Sequence, residues 1–319
     1  MFCAQRVFRC FKTLERWGNY ITGKAGPYFI ALAVGLIALG TFCFFEVIAP
    51  TLSYPIISIP ICILIALNLY MHYFYVITVK PGFIDDSHSP STHYNHRRSS
   101  SSSILWAAKK SKSSKPKLTR GVNWTSGVKI TPASTTVCRK CQKVRPEYQN
   151  LTLQPFNSVA YLVIATFSFC FTGYPIFFQS IGIVYHEWTH TTPEIAFAMM
   201  FILCCVLCFA VGVMLTYHLY GISNGETSVE AQDNEEYRKN AKARGEVFVN
   251  SYDVGTRKNF EFFFNLGDDG YSLTTLFFPL RINPYTDGYS WARKEGYERH
   301  GGVRKGEELT DGEDEDEGV

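Results

Sequence analysis

Hydrophobic residues along this chain neither alternate with polar ones nor follow a one-sided helical stripe; they gather in four unbroken runs with polar stretches between. The runs are Tyr28 to Ala49, Pro55 to Val79, Val159 to Val184 and Ile195 to Leu219. Glu46 lies near the far end of the first, and the second and fourth contain no Asp, Glu, Lys or Arg. A helix rises about 1.5 Å per residue, so roughly 20 apolar residues cross about 30 Å of hydrocarbon with every backbone amide bonded internally. The pattern predicts an all-α integral membrane protein with four transmembrane helices. A short loop joins the first pair of spans, and His186, Glu187, His190 and Glu194 lie between the last two.

Composition supports lipid-facing surface: the 319 residues are 46% hydrophobic but only 18% charged, against about 25% in soluble domains. The net charge of +3 hides a segregation that fixes orientation. Arg6, Arg9, Lys12, Arg16 and Lys24 crowd the N-terminal arm, and the stretch from Lys80 to Ser158 holds fourteen basic residues against three acidic ones. The short loops hold no Lys or Arg. Basic flanks stay cytosolic, so the N-terminus, the central loop and the C-terminal region are expected in the cytosol, in an endomembrane (ER, Golgi or vacuole). The sequons at Asn123 and Asn150 then face the wrong compartment for glycosylation.

Between the spans, Ser87 to Thr136 is rich in Ser, Lys and Thr, includes the serine run Ser99 to Ser103, and is too polar to bury a core. The expected organisation is a cytosolic arm over 1–27, spans one and two over 28–79, a basic disordered loop over 80–137, a short cysteine-bearing module over 138–158, spans three and four over 159–219, a C-terminal cytosolic region over 220–295 and an acidic disordered tail over 296–319. Within the C-terminal region, Glu226 to Val247 is charged and helix-compatible, which suggests a helix on the membrane surface. Asn250, Ser251, Tyr252, Asp253 and Gly255 form a turn cluster, and Asn259, Phe260, Phe262, Phe263 and Phe264 are apolar enough to dock on the bilayer or the base of the spans.

Six of ten cysteines fall inside apolar runs, so they are expected to pack as small hydrophobes. Cys138 and Cys141 form the one spaced pair. Two thiolates at this spacing can hold one zinc at about 2.3 Å each, but a tetrahedral site needs two more ligands. His93 and His96 are the nearest by sequence. Arg139, Lys140 and Lys143 would favour a thiolate at Cys141.

The run Cys138 to Pro146, C-R-K-C-Q-K-V-R-P, resembles the opening of the cysteine-rich domain in DHHC-type protein S-acyltransferases (palmitoyltransferases). Thr78-Val79-Lys80-Pro81-Gly82 is similar to that family's Asp-Pro-Gly element, with Lys80 in place of Asp. Thr227-Ser228-Val229-Glu230 resembles its Thr-Thr-x-Glu motif, and Asn250 to Gly255 with Asn259 resembles its Asn-Pro-Tyr-Asp element. Asn283 to Trp291, with Asp287-Gly288, resembles the tail of fungal members. The resemblance implies a reaction in which palmitoyl-CoA acylates an enzyme cysteine, which passes the chain to a protein thiol. It implies zinc on the cysteine-rich module, with Cys138 and Cys141 as remnant ligands. Pro81, Gly82, Thr227, Ser228, Glu230, Asn250, Tyr252, Asp253 and Asn259 carry the family motifs.

The catalytic Asp-His-His-Cys does not follow: Pro146 leads through Glu147-Tyr148-Gln149-Asn150-Leu151 to the third span, and two adjacent histidines occur nowhere. The chain is therefore expected to be a palmitoyltransferase-family membrane protein, inactive as written, a pseudoenzyme with no catalytic residue assigned. The alternatives are a non-catalytic scaffold or partner subunit, and an acyltransferase using Cys141. A transporter is disfavoured because charged residues inside the spans are nearly lacking. Expected partners are membrane lipid, cytosolic protein substrates or an active family member, and no nucleic acid.

Overall fold

The computed structural model describes residues 25–78, 128–132, 135–137, 144–146, 153–185, 187–267, 271–280, 282, 290–297, 299–304 and 307. Four helices in it are long and apolar enough to cross a membrane: Ala25–Thr51, Pro55–Thr78, Phe156–Ser180 and Glu194–Ser223. The first comprises α1 (25–43), a π-helical turn over Phe44–Ile48 and a 3-10 turn over Ala49–Thr51. Pro50 has no N–H to give to Glu46, and the wider turn closes instead through the Ala49 N–H to the Phe44 carbonyl. The other spans are α2 (Pro55–Thr78), α3 (Leu153–Ser180) and α4 (Glu194–Ser223). The third begins earlier than the expected Val159 and stops at Ser180 rather than Val184; the fourth runs four residues past Leu219, through a stretch without charge.

The chain divides into two compact units. In one, which includes 25–62 and 167–206, Cys43, Phe44, Val47 and Ile48 pack with Phe169, Ile176, Phe197, Met200, Phe201 and Cys204. Phe177 stacks on Phe201 at 4.4 Å between ring centroids. Gly173 lets the helices close up, since a Cβ there would lie 2.9 Å from Ile48 Cδ1. Cys43 and Cys204 are buried among these side chains, as expected of thiols acting as small hydrophobes. The loop before α4 is pinned by Glu46, whose carboxylate accepts the backbone N–H groups of Thr191 (2.6 Å) and Thr192 (3.3 Å) and the Thr192 hydroxyl.

The second unit holds α2 from Ile63, α3 up to Thr166, α4 from Leu207 and everything described after it. Here α5 (Ser228–Ala243) and α6 (Thr256–Phe263) follow α4 closely. Helix α5 is shorter than the expected Glu226 to Val247 because a capping box starts it and Gly245, at φ +74°, follows its end. Phe263 and Phe264 make edge-to-face contacts with Phe156 of α3, at 5.1 and 5.7 Å. Of the two docking sites expected for the Phe-rich stretch, these two rings take the base of a span.

Four short strands join this unit. β1 (Val128–Pro132) pairs antiparallel with β4 (Ser290–Lys294), from Val128 opposite Lys294 to Pro132 opposite Ser290. β2 (Thr135–Val137) pairs with β3 (Val144–Pro146). Of the expected loop over 80–137 the structure describes only 128–132 and 135–137, where Val128, Ile130, Thr131, Thr135, Thr136 and Val137 are strand formers by their branched Cβ. Within 299–304, Gly301 is bridged to Val249 and Val303 is buried.

Candidate functional site

The motif residues after the fourth span converge on one small cluster. Helix α4 ends in a Schellman turn: Glu226 N–H donates to the Gly221 carbonyl (3.0 Å) and Gly225 N–H to that of Ile222 (3.1 Å). Gly225 takes φ +64° and presses against the 252–253 backbone, where a Cβ would stand 2.9 Å from the Tyr252 carbonyl oxygen. Only glycine meets both conditions.

Two residues on, Thr227 caps α5. Its hydroxyl accepts the Glu230 N–H (3.3 Å), and the Glu230 carboxylate accepts the Thr227 N–H (2.9 Å). The Thr-x-x-Glu pattern thus forms a reciprocal capping box, with Ser228 as the first helical residue. Glu226 reaches the other way and accepts from the buried Asn234 amide at 2.9 Å.

The segment Asn250 to Asn259 locks onto this turn. The Asn250 amide donates to the Asn224 carbonyl (3.2 Å) and its oxygen accepts the Tyr252 N–H (3.0 Å). Asn259, buried on α6, donates to the Ser223 carbonyl (3.0 Å) and the Asp253 carboxylate (2.9 Å) while accepting from Val254 N–H (3.2 Å). Asp253 also accepts the Gly255 N–H at 3.0 Å. One asparagine therefore joins the end of a span to the turn before α6.

Beneath the turn lies a charged group that sequence reasoning missed. Arg293 of β4, 2% exposed, donates to the Tyr252 hydroxyl at 2.7 Å and holds its guanidinium 4.7 Å from that ring's centre. Ser251 N–H donates to His300 Nδ1 (3.2 Å), and the His300 ring packs edge-on against Tyr252 at 5.5 Å. No local pattern marks Arg293 or His300; only a pairing of distant strands brings them here.

Thr227, Ser228, Tyr252, Asn259, His218 and Phe262 line a pocket of about 80 Å³. It is far below the roughly 300 Å³ at which small-molecule sites begin. The cluster is a hydrogen-bonded platform with a small, mainly apolar notch beside it.

Pro81, Gly82, Cys138, Cys141, His93 and His96 lie outside the described residues. In sequence, Cys138 and Cys141 fall between β2 and β3, which pair as far as Val137 opposite Val144. Among the described residues, no three His, Cys, Asp or Glu side chains gather as a metal-ligand group.

No family model matches the chain. It is 29% identical to mouse palmitoyltransferase ZDHHC16 over 151 residues, covering 39% of this chain and 40% of the relative. It is 33% identical to human palmitoyltransferase ZDHHC16 over 92 residues, 29% of this chain and 24% of the relative. Zebrafish palmitoyltransferase ZDHHC16A is 32% identical over 92 residues. The chain spans two fifths or less of the length of these curated relatives.

Proposed function

We propose that this chain, which belongs to the DHHC-type protein S-acyltransferase (palmitoyltransferase) family, supplies that family's membrane scaffold and C-terminal platform without the first chemical step. The family reaction moves palmitoyl from palmitoyl-CoA to protein cysteines through an enzyme thioester. The observation that carries the reading is the joint fixing of Thr227, Glu230, Asn250, Tyr252, Asp253 and Asn259 at the end of α4. This is a built platform for a catalytic module, and Pro146 is followed by the third span rather than by Asp-His-His-Cys.

Thioester exchange requires a thiolate, and a cysteine becomes a competent one beside a base or fixed positive charge. The thiols of Cys43 and Cys204 are buried among apolar side chains and serve packing. Cys138 and Cys141 read best as zinc ligands of a shortened module, with zinc supplying fold rather than chemistry and two ligands still to be found. Both termini and the central loop face the cytosol of an endomembrane in this reading, and the partner is an active family member or a cytosolic protein with cysteines close to the membrane.

Arg139, Lys140 and Lys143 beside Cys141 support one competing reading, a working acyltransferase with Cys141 as nucleophile. Labelling cells with a clickable palmitate analogue separates the two. The platform reading expects no hydroxylamine-labile label on the purified chain that Cys141→Ser removes. Label lost in Cys141→Ser and chased from wild type onto a second protein would overturn it.

A further inference from the structure

Between Tyr271 and Leu280 the chain reads Y-S-L-T-T-L-F-F-P-L, without a charged residue, while Asp268 and Asp269 precede it and Arg281 follows. Leu273–Phe277 form a single 3-10 turn. Leu276 and Leu280 pack with Tyr271, Phe263 and Phe264, whereas Leu273, Phe277 and Phe278 point outward, 60%, 59% and 50% exposed. Three large apolar side chains turned away from the protein need an apolar surrounding.

The hydrogen bonds of this segment say which. The Leu276 carbonyl accepts from the Tyr161 hydroxyl of α3 (2.6 Å), and the Phe277 carbonyl accepts from the Asn68 amide of α2 (3.0 Å). The Phe278 carbonyl accepts the Leu280 N–H (2.7 Å), and the Pro279 carbonyl accepts from the Tyr75 hydroxyl of α2 (3.2 Å). Four consecutive carbonyls are thus satisfied, three of them by side chains that belong to spans. Non-helical backbone needs this at membrane depth, where a bare polar group has no water to bond. Asn68 stands ten residues before the end of α2 at Thr78, about 15 Å along its axis. Tyr161 stands five residues into the third span, about 8 Å along. Consecutive spans run in opposite directions, so both depths are measured from the same face of the bilayer.

We propose that residues 273–280 form a wedge inserted in the leaflet where α2 ends and α3 begins, with Leu273, Phe277 and Phe278 in contact with lipid acyl chains. The wedge continues the lipid-facing surface of the neighbouring spans, where Phe74, Val76 and Ile77 are exposed. Asn68, Tyr75 and Tyr161 hold it there by serving its backbone. The inference does not depend on whether the chain catalyses acyl transfer.

The test uses the full chain reconstituted in phosphatidylcholine vesicles that contain a diazirine-bearing fatty-acyl probe, with adducts mapped by peptide mass spectrometry after illumination. Adducts are expected on 273–278 within a few-fold of those at Phe209, an exposed residue of the fourth span, with none on the charged face of α5 around Glu235 and Lys239. Phe209 labelled and 273–278 as clean as α5 would overturn the proposal, and would mean that protein, from this chain or another, covers these side chains. In the double variant Asn68→Ala, Tyr161→Phe, labelling of 273–278 should drop several-fold while that of Phe209 stays. Unchanged labelling there would overturn the holding role.

Discussion

The Arg293 guanidinium both stacks on the Tyr252 ring, at 4.7 Å, and donates to that residue's hydroxyl at 2.7 Å. Both side chains are buried, so the charge is spread over an aromatic face and a phenol oxygen instead of water. Tyr252→Phe keeps the stack and removes the acceptor. The variant should lose about 1.5–3 kcal/mol, the usual worth of a bond to a charged group, read as a lowered thermal midpoint in detergent.

Asn259 makes three side-chain hydrogen bonds, to Ser223, Asp253 and Val254. At about 1 kcal/mol each, Asn259→Ala should cost about 3 kcal/mol. Limited proteolysis should show it as faster cleavage between Ser251 and Thr256, ahead of any loss of the spans. Cleavage at the wild-type rate would mean that the asparagine does not hold the turn.

Gly225 and Gly245 both sit at positive φ, +64° and +74°, but only Gly225 has backbone against the missing Cβ. Alanine at Gly245 should cost about 1–2 kcal/mol for the left-handed conformation alone. Alanine at Gly225 must cost clearly more, because the Tyr252 carbonyl has to move. Parallel thermal melts of the two variants give the comparison directly.

Glu46 holds the loop before α4 through the Thr191 and Thr192 amides. In Glu46→Ala, amide exchange at those two residues should quicken by more than tenfold, equivalent to about 2 kcal/mol of local stability. Glu46→Gln retains one acceptor oxygen and should fall between.

Hydrogen bonds from Arg244 and then Arg304 hold the Glu246 carboxyl below its ordinary value. A carboxylate held low stabilises the fold at pH above its unfolded value and gives that stability up as pH falls through the lowered one. Glu246→Gln should therefore melt slightly below wild type at neutral pH, and the gap should close under acid conditions below the ordinary carboxylate range. The side chain is well exposed, so the effect is small and salt-sensitive.

The spans were legible because hydrocarbon thickness demands a length that few other structures need. Their ends were less so: Tyr217 to Ser223 is neutral enough to continue α4, and it stops where Gly225 can adopt positive φ rather than where hydropathy falls. Thr227 and Glu230 stood out in the sequence as motif residues, and the structure uses them as the reciprocal cap of α5. Asn250 and Asn259 could be marked as motif residues, but not as the link between a span and a turn, since that depends on which carbonyls approach them. Arg293 was hidden because strand pairing across more than a hundred and fifty residues leaves no local trace. The wedge was hidden because its backbone is satisfied from two spans at once.

The pairing of β1 with β4 sets an order on biosynthesis. Val128 to Pro132 leave the ribosome before the third span exists, and their partner Ser290 to Lys294 is made only after the fourth. The first strand must therefore wait unpaired through two insertion events, so a nascent chain halted before Ser290 would hold every span and still lack this closure.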